Sequence, residues 1–113
     1  MIAHVVLFRP RATLEDADRE AFLQALETAL AKISVIKRAR VGRRLMMGRP
    51  YDRGVPDFPY VAILEFESEA DLRSYLDHPA HDRLGQQFYV SSEAALAIDF
   101  ALLDGTRVRE LFS

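Results

Sequence analysis

The chain contains no cysteine, which removes a disulfide framework, a thiolate nucleophile and a cysteine-ligated zinc site. No apolar run approaches the roughly 20 residues that a membrane-spanning helix needs. The N-terminal Ile2–Phe8 run is too short, and lacks a basic leader, to read as a secretory signal. Charge of one sign is also missing: 15 Lys and Arg stand against 17 Asp and Glu. No global field therefore draws the protein to nucleic acid or to an acidic membrane. Only 5 glycines and 5 prolines occur in 113 residues, with no linker, repeat or low-complexity segment. Half the residues are hydrophobic and 28% are charged, the composition of one globular domain. A soluble cytoplasmic protein is expected.

What is present is a series of well-marked elements. Ile2–Phe8 reads as a buried strand, apolar on both faces, with His4 its one polar side chain. Arg9-Pro10-Arg11 ends it. Thr13 with Asp16 gives a cap signal for a helix from Leu14 to Ile33, whose apolar positions, Phe22 and Leu26 among them, keep the 3.6-residue period. Ala39–Arg49 alternates as a second strand, and Pro50–Pro59 is a turn-rich loop. Tyr60–Phe66 is a third strand. Ser68 with Asp71 resembles a capping box, so the next helix starts there. His78 precedes Pro79 and is pushed out of the helical region, which ends that helix near Asp77. Pro79 suits the first position of a new helix running toward Val90. Ala94–Leu103 is the last strand.

The order βαββαβ, with one helix broken, predicts a ferredoxin-like α+β sandwich with a four-stranded antiparallel sheet. It occupies residues 1–103, followed by a polar tail over 104–113. Helices on one side of such a sheet should leave alternating strands, apolar inward and polar outward. Three strands break that rule. Val5 and Leu7, Val61 and Ile63, and Leu96, Ile98 and Phe100 all lie opposite other apolar residues. Each such side chain contributes about 1.5–3 kcal/mol when fully buried, so together they rival the ~4–15 kcal/mol cost of association. A homodimer closing two sheets face to face, a dimeric α+β barrel, is expected.

His4 in an apolar first strand, Phe66-Glu67-Ser68, Tyr75-Leu-Asp-His78-Pro-Ala-His81 and Ile98-Asp99-Phe100 together resemble the stress-responsive dimeric α/β-barrel (Dabb) family. The likeness spans about residues 1–103. It implies a ferredoxin-like protomer in a dimeric barrel, in a family of diverse and often unknown activity. Its plant polyketide cyclase branch drives an aldol cyclisation without a cofactor, using a tyrosine and a histidine that correspond to Tyr75 and His81. That branch's first-strand histidine corresponds to His4, whereas Leu26 stands where it has an aromatic pocket residue.

The chemistry of these residues is coherent. A neutral imidazole accepts a proton near pH 7, and the positive end of a helix disfavours the imidazolium. His81 is thus a candidate general base beside a carbonyl, and Tyr75 a donor to the developing enolate. His4 is placed to orient His81 or to bind a second oxygen, provided it points to the helix-covered face with Val6, Phe8, Ala62 and Leu64. The small Ala95 and Ala97 leave room on that face. Phe22, Leu26, His78 and Leu84 complete the expected substrate-binding set, for a small apolar or carbonyl-containing molecule, with no metal and no cofactor. A plainer assignment has His78 capping a helix, His81 satisfying a carbonyl and the alanines easing helix packing. A non-enzymatic ligand-binding protein of the stress-response type fits that assignment. A cofactor-free or haem-using monooxygenase is a further alternative, by analogy of fold.

Other features carry less. Pro79 breaks the helical spacing of His78 and His81, so a metal pair is not favoured. The basic band Lys37, Arg38, Arg40, Arg43, Arg44 and Arg49 fits protection of an edge strand. The third strand begins Tyr60-Val-Ala-Ile and lacks the basic-Gly-aromatic pattern of an RNA-binding βαββαβ domain. Asp99 is free to bond a histidine, and Tyr51 and Phe58 are placed for a lid or a simple turn.

Overall fold

The computed structural model describes residues 1–113. The order is β1 (Ile2–Pro10), α1 (Asp16–Lys32), β2 (Arg38–Arg43), β3 (Tyr60–Phe66), α2 (Glu69–Asp77), α3 (Pro79–Ser91) and β4 (Ser92–Ala101). The sheet order is β2-β3-β1-β4 with every neighbour antiparallel, the ferredoxin-like topology. No helix is long and apolar enough to cross a membrane.

Several boundaries differ from the sequence expectation, and β1 runs two residues past Phe8, to Pro10, in register with β4. α1 begins at Asp16 behind Glu15, which makes no side-chain cap bond. The Leu14 N–H instead bonds the Arg11 carbonyl, so the Thr13 segment is a turn. β2 stops at Arg43, not Arg49, because the Arg44 guanidinium donates to the carbonyls of Asp52 and Pro56 and pulls the chain into the following loop. Gly48 (φ 72°) and Gly54 (φ 75°) turn that loop through left-handed conformations open to glycine. β4 is displaced toward the N-terminus by about two residues, and the tail from Gly105 to Phe112 coils into 3₁₀ turns capped by Asp104.

Register fixes which side chains share a face. Ile2, His4, Val6 and Phe8 stand opposite Phe66, Leu64, Ala62 and Tyr60 on β3, and opposite Ala101, Asp99, Ala97 and Ala95 on β4. This is the helix side. Its core joins Ala25, Ala29 and Ile33 to Leu64, Phe66, Leu72, Tyr75 and Leu84. The opposite face carries Val5, Leu7, Val61, Ile63, Leu96, Ile98 and Phe100 without any covering layer; Leu96, Ile98 and Phe100 are exposed.

The accessible area reflects that open face. It is 8325 Å², with 12 of 113 residues buried, whereas a compact monomer of 12.9 kDa exposes about 6,300 Å². The radius of gyration, 15.6 Å, likewise exceeds the about 13 Å of a compact chain this long. The molecule is a slab of 48 × 38 × 16 Å, one sheet and one helix layer thick.

Phe66 is fully buried at the centre of the core, so Phe66→Ala should lower the unfolding free energy by about 3–5 kcal/mol. Ser68 accepts the Asp71 N–H at 3.1 Å as the α2 cap, and Ser68→Ala should cost about 1 kcal/mol. Urea titrations of both variants check these values.

Candidate functional site

The site is built at a corner. α2 ends because His78, ahead of Pro79, takes extended backbone angles (φ −72°, ψ 139°). Pro79 then opens α3, and the His78 Nδ1 accepts the Ala80 N–H at 3.0 Å. His78 is therefore occupied as the cap between two helices. Tyr75, in the last turn of α2, faces His81, in the first turn of α3, with ring centroids 4.7 Å apart and near edge-on.

β1 brings the third ring. His4 is 7% exposed and its ring centroid lies 5.7 Å from that of Tyr75. Its Nδ1 donates to the Asp99 carboxylate at 2.5 Å across the β1–β4 ladder. That bond fixes the proton on Nδ1 and leaves Nε2 as the free nitrogen. Asp99, half exposed, links the buried rings to solvent. Tyr75 stands between the two imidazoles; no hydrogen bond joins His4 to His81, so the orientation of His81 by His4 expected from the sequence is not seen.

Burial tunes these groups. It pushes the Tyr75 phenol up to about 12, so Tyr75 stays a proton donor throughout the neutral range. Burial lowers the His81 pKa below its ordinary value; the neighbouring His4 lowers it further, against Asp82 and the Leu76 backbone, which raise it. His81 is a neutral acceptor at pH 7. The arrangement is a donor and an acceptor side by side in a water-poor corner, with a carboxylate-anchored imidazole behind the donor.

The remaining expected residues divide. Ala62, Leu64 and Leu84 are closed into the core, and Val6, Phe22 and Leu26 pack against it, so these side chains brace the site from beneath. Phe8 meets Phe22 at 5.8 Å, Tyr60 at 5.6 Å and Phe88 at 5.4 Å in an aromatic cluster further along β1. Phe88 was missed, although its four-residue spacing from Leu84 on α3 marks it as inward-facing. Ala95 is exposed on the edge strand. A cleft of about 270 Å³ touches Asp99 between Ile2, Leu72 and Leu76. His81 also borders the open outer face of α3; neither opening is lined by Tyr75 or His4.

The antiparallel sheet order with two helical crossovers defines a ferredoxin-like α+β protein, with Tyr75 buried against a half-buried His81. The chain belongs to the stress responsive A/B barrel domain family, whose model matches residues 2–102. Among solved structures it is similar to a dimeric ferredoxin-like protein of unknown function from Thermobifida fusca, at 25% identity and a TM-score of 0.69, covering 89% of this chain and 90% of that one. It is also similar in fold to the hydroxynitrile lyase of Passiflora edulis, at 14% identity and a TM-score of 0.77, covering 91% and 94%. A third similar structure is a cofactor-independent oxygenase from Streptomyces nogalater, at 17% identity and a TM-score of 0.66, covering 91% and 93%. No curated protein sequence matches the chain.

A pH prediction comes from Tyr75. Its folded pKa of about 12 lies above the 10.0 of an unperturbed phenol, so the folded state holds the proton longer. The associated stability is complete below pH 10 and is lost as pH rises through about 12, by about 2–3 kcal/mol in all. Unfolding of wild type and Tyr75→Phe at pH 9 and pH 11 should show a steeper alkaline loss in wild type.

Proposed function

We propose that the protein is a homodimeric acid–base enzyme acting on a carbonyl compound, cyclase- or lyase-like, without a cofactor. The observation that carries this reading is the edge-on contact of a permanently protonated Tyr75 with a neutral His81 at 4.7 Å. Neutral His81 takes a proton from the carbon next to the carbonyl, and the electron pair moves onto the carbonyl oxygen. Tyr75 donates a hydrogen bond to that developing oxyanion. His4, tethered to Asp99, supports Tyr75 from the other side. The enolate then forms a carbon–carbon bond to a second carbonyl, or the same steps run in reverse and break one; His81 returns the proton. The hydroxynitrile lyase and the cofactor-independent oxygenase show that this fold accommodates enzymes.

The dimer rests on area. The protomer exposes about 2,000 Å² more than a compact chain of its mass. The uncovered sheet face, where Leu96, Ile98 and Phe100 stand exposed, contributes to that excess along with the tail and the loop before β3. The similar Thermobifida fusca protein is described as dimeric.

A second reading is a non-enzymatic binding protein for an apolar ligand, supported by the cleft that Ile2, Leu72, Leu76 and Phe100 line beside Asp99. Native mass spectrometry of protein incubated with cell extract separates the two: retained ligand with no turnover favours binding alone.

Three measurements test the main reading. Tyr75→Phe and His81→Ala should each lower kcat by about 10²–10⁴-fold, and unchanged turnover of every accepted carbonyl substrate rules the assignment out. Because the His81 pKa is lowered, the acid limb of kcat/KM should lie below pH 6.5 and vanish in His81→Ala. Sedimentation should give a dimer at micromolar concentration, and Ile98→Asp together with Leu7→Asp should give monomers; a wild-type monomer sinks the sheet-to-sheet assembly.

A further inference from the structure

The basic band along β2 divides into two halves. Lys37 pairs with Glu67 at 2.8 Å, and Arg38 and Arg40 stand 3.9 Å and 3.6 Å from Glu65. Protection of the strand edge accounts for that half. Arg43 and Arg44, where the strand ends, have no carboxylate within ion-pair distance. Arg44 is half-buried and donates only to the neutral carbonyls of Asp52 and Pro56, at 3.3 Å and 3.5 Å. The Asp52 carboxylate accepts the Arg49 backbone N–H instead. Arg9, another cation at this end of the sheet, is matched by Glu93 at 3.1 Å. A guanidinium drawn partly out of water without a counter-ion leaves its charge uncompensated.

Both arginines open on a cleft of about 280 Å³. It has two walls. β1 and β3 give Leu7 and Val61, neighbours on the uncovered sheet face, and the loop before β3 gives Val55, Pro56 and Phe58. That loop is pinned from two strands: Arg44 bonds the Pro56 carbonyl, and the Arg9 guanidinium donates to the Asp57 carbonyl at 2.9 Å. The cleft is therefore formed before any ligand arrives. An apolar cavity of about 150 Å³ holds benzene, so there is room for one ring and a short chain. Leu7 and His4 lie on opposite faces of β1, which separates this cleft from the Tyr75–His81 corner.

We infer that the cleft binds a small organic acid, with its apolar or aromatic body between Leu7, Val61, Val55 and Phe58 and its carboxylate on Arg43. The planar guanidinium matches a carboxylate through two parallel hydrogen bonds, and the charge of Arg44 beside it favours an anion over a neutral ligand. The chain's own loop supplies the second wall. The site is thus complete within one protomer and does not rest on the acid–base reading of Tyr75 and His81.

Hydrocinnamate, its neutral counterpart hydrocinnamyl alcohol, acetate and inorganic phosphate are the probes, with affinities from NMR titration of the full-length wild-type protein. Hydrocinnamate should bind about tenfold more tightly than the alcohol, which lacks the charge, and than acetate, which lacks the ring. Its shifts should fall on the methyl groups of Leu7, Val55 and Val61. Arg43→Gln should weaken hydrocinnamate about tenfold and leave the alcohol unchanged. Arg43→Lys should restore part of that loss, and Val55→Ser should weaken both ring compounds. Tyr75→Phe and His81→Ala should leave hydrocinnamate affinity unaltered. Equal affinity for acid and alcohol, or wild-type binding of the acid by Arg43→Gln, overturns the proposal. Tighter binding of phosphate than of hydrocinnamate also overturns it, because the arginines then serve a bare anion. So does an absence of binding at millimolar hydrocinnamate by a protein that sediments as a dimer, because the partner's sheet then fills the cleft.

Discussion

A sheet with apolar side chains on both faces and helices on only one is the constraint that shapes this molecule. α1, α2 and α3 enclose the helix side around Phe66 and Tyr75. The other face holds Val5, Leu7, Ile63, Ile98 and Phe100 with no layer of its own. Hydrophobic burial scales with area, so the shortfall is relieved only by bringing in another surface. The helix side carries the Tyr75, His81 and His4 cluster.

On that side the decisive device is a failure of helix continuity. Had the chain run on past Asp77 as one helix, Tyr75 and His81 would sit six residues apart on different faces. The His78–Pro79 step folds the helix over, and the corner presses the two rings together. The histidine at the step is consumed in making the turn. The two that flank the phenol come from α3 and from the central strand β1, so the cluster couples one helix end to the middle of the sheet.

The cluster also divides polarity along β1. His4 marks an end whose carboxylate partner touches solvent, while Phe8 marks an aromatic end packed by Phe22, Tyr60 and Phe88. Tyr75 and His81, set beside His4, keep the protonation state that burial favours: a phenol stays a phenol and an imidazole stays neutral. Burial, helped at His81 by the nearby His4, thus makes a donor and an acceptor out of neighbours.

The sequence by itself determined the elements and their faces. The Ile2–Phe8 and Tyr60–Phe66 runs, the Ser68 cap, the His78–Pro79 break and the two-sided apolar pattern are local features, set by backbone sterics and by period, and they are readable wherever they occur. Alternation grouped His4 with Val6 and Phe8, but with both faces apolar it took the packing of the helices to decide which face they cover. Where elements end was less legible: β2 stops early because Arg44 finds carbonyls of the loop, and α1 starts late because Leu14 turns back to Arg11. Only the tertiary structure decided the contacts at long sequence separation. The register that sets Asp99 against His4, the place of Tyr75 between two imidazoles, and the closure of Ala62, Leu64 and Leu84 into the core all depend on how distant segments come to rest together, which no local pattern encodes.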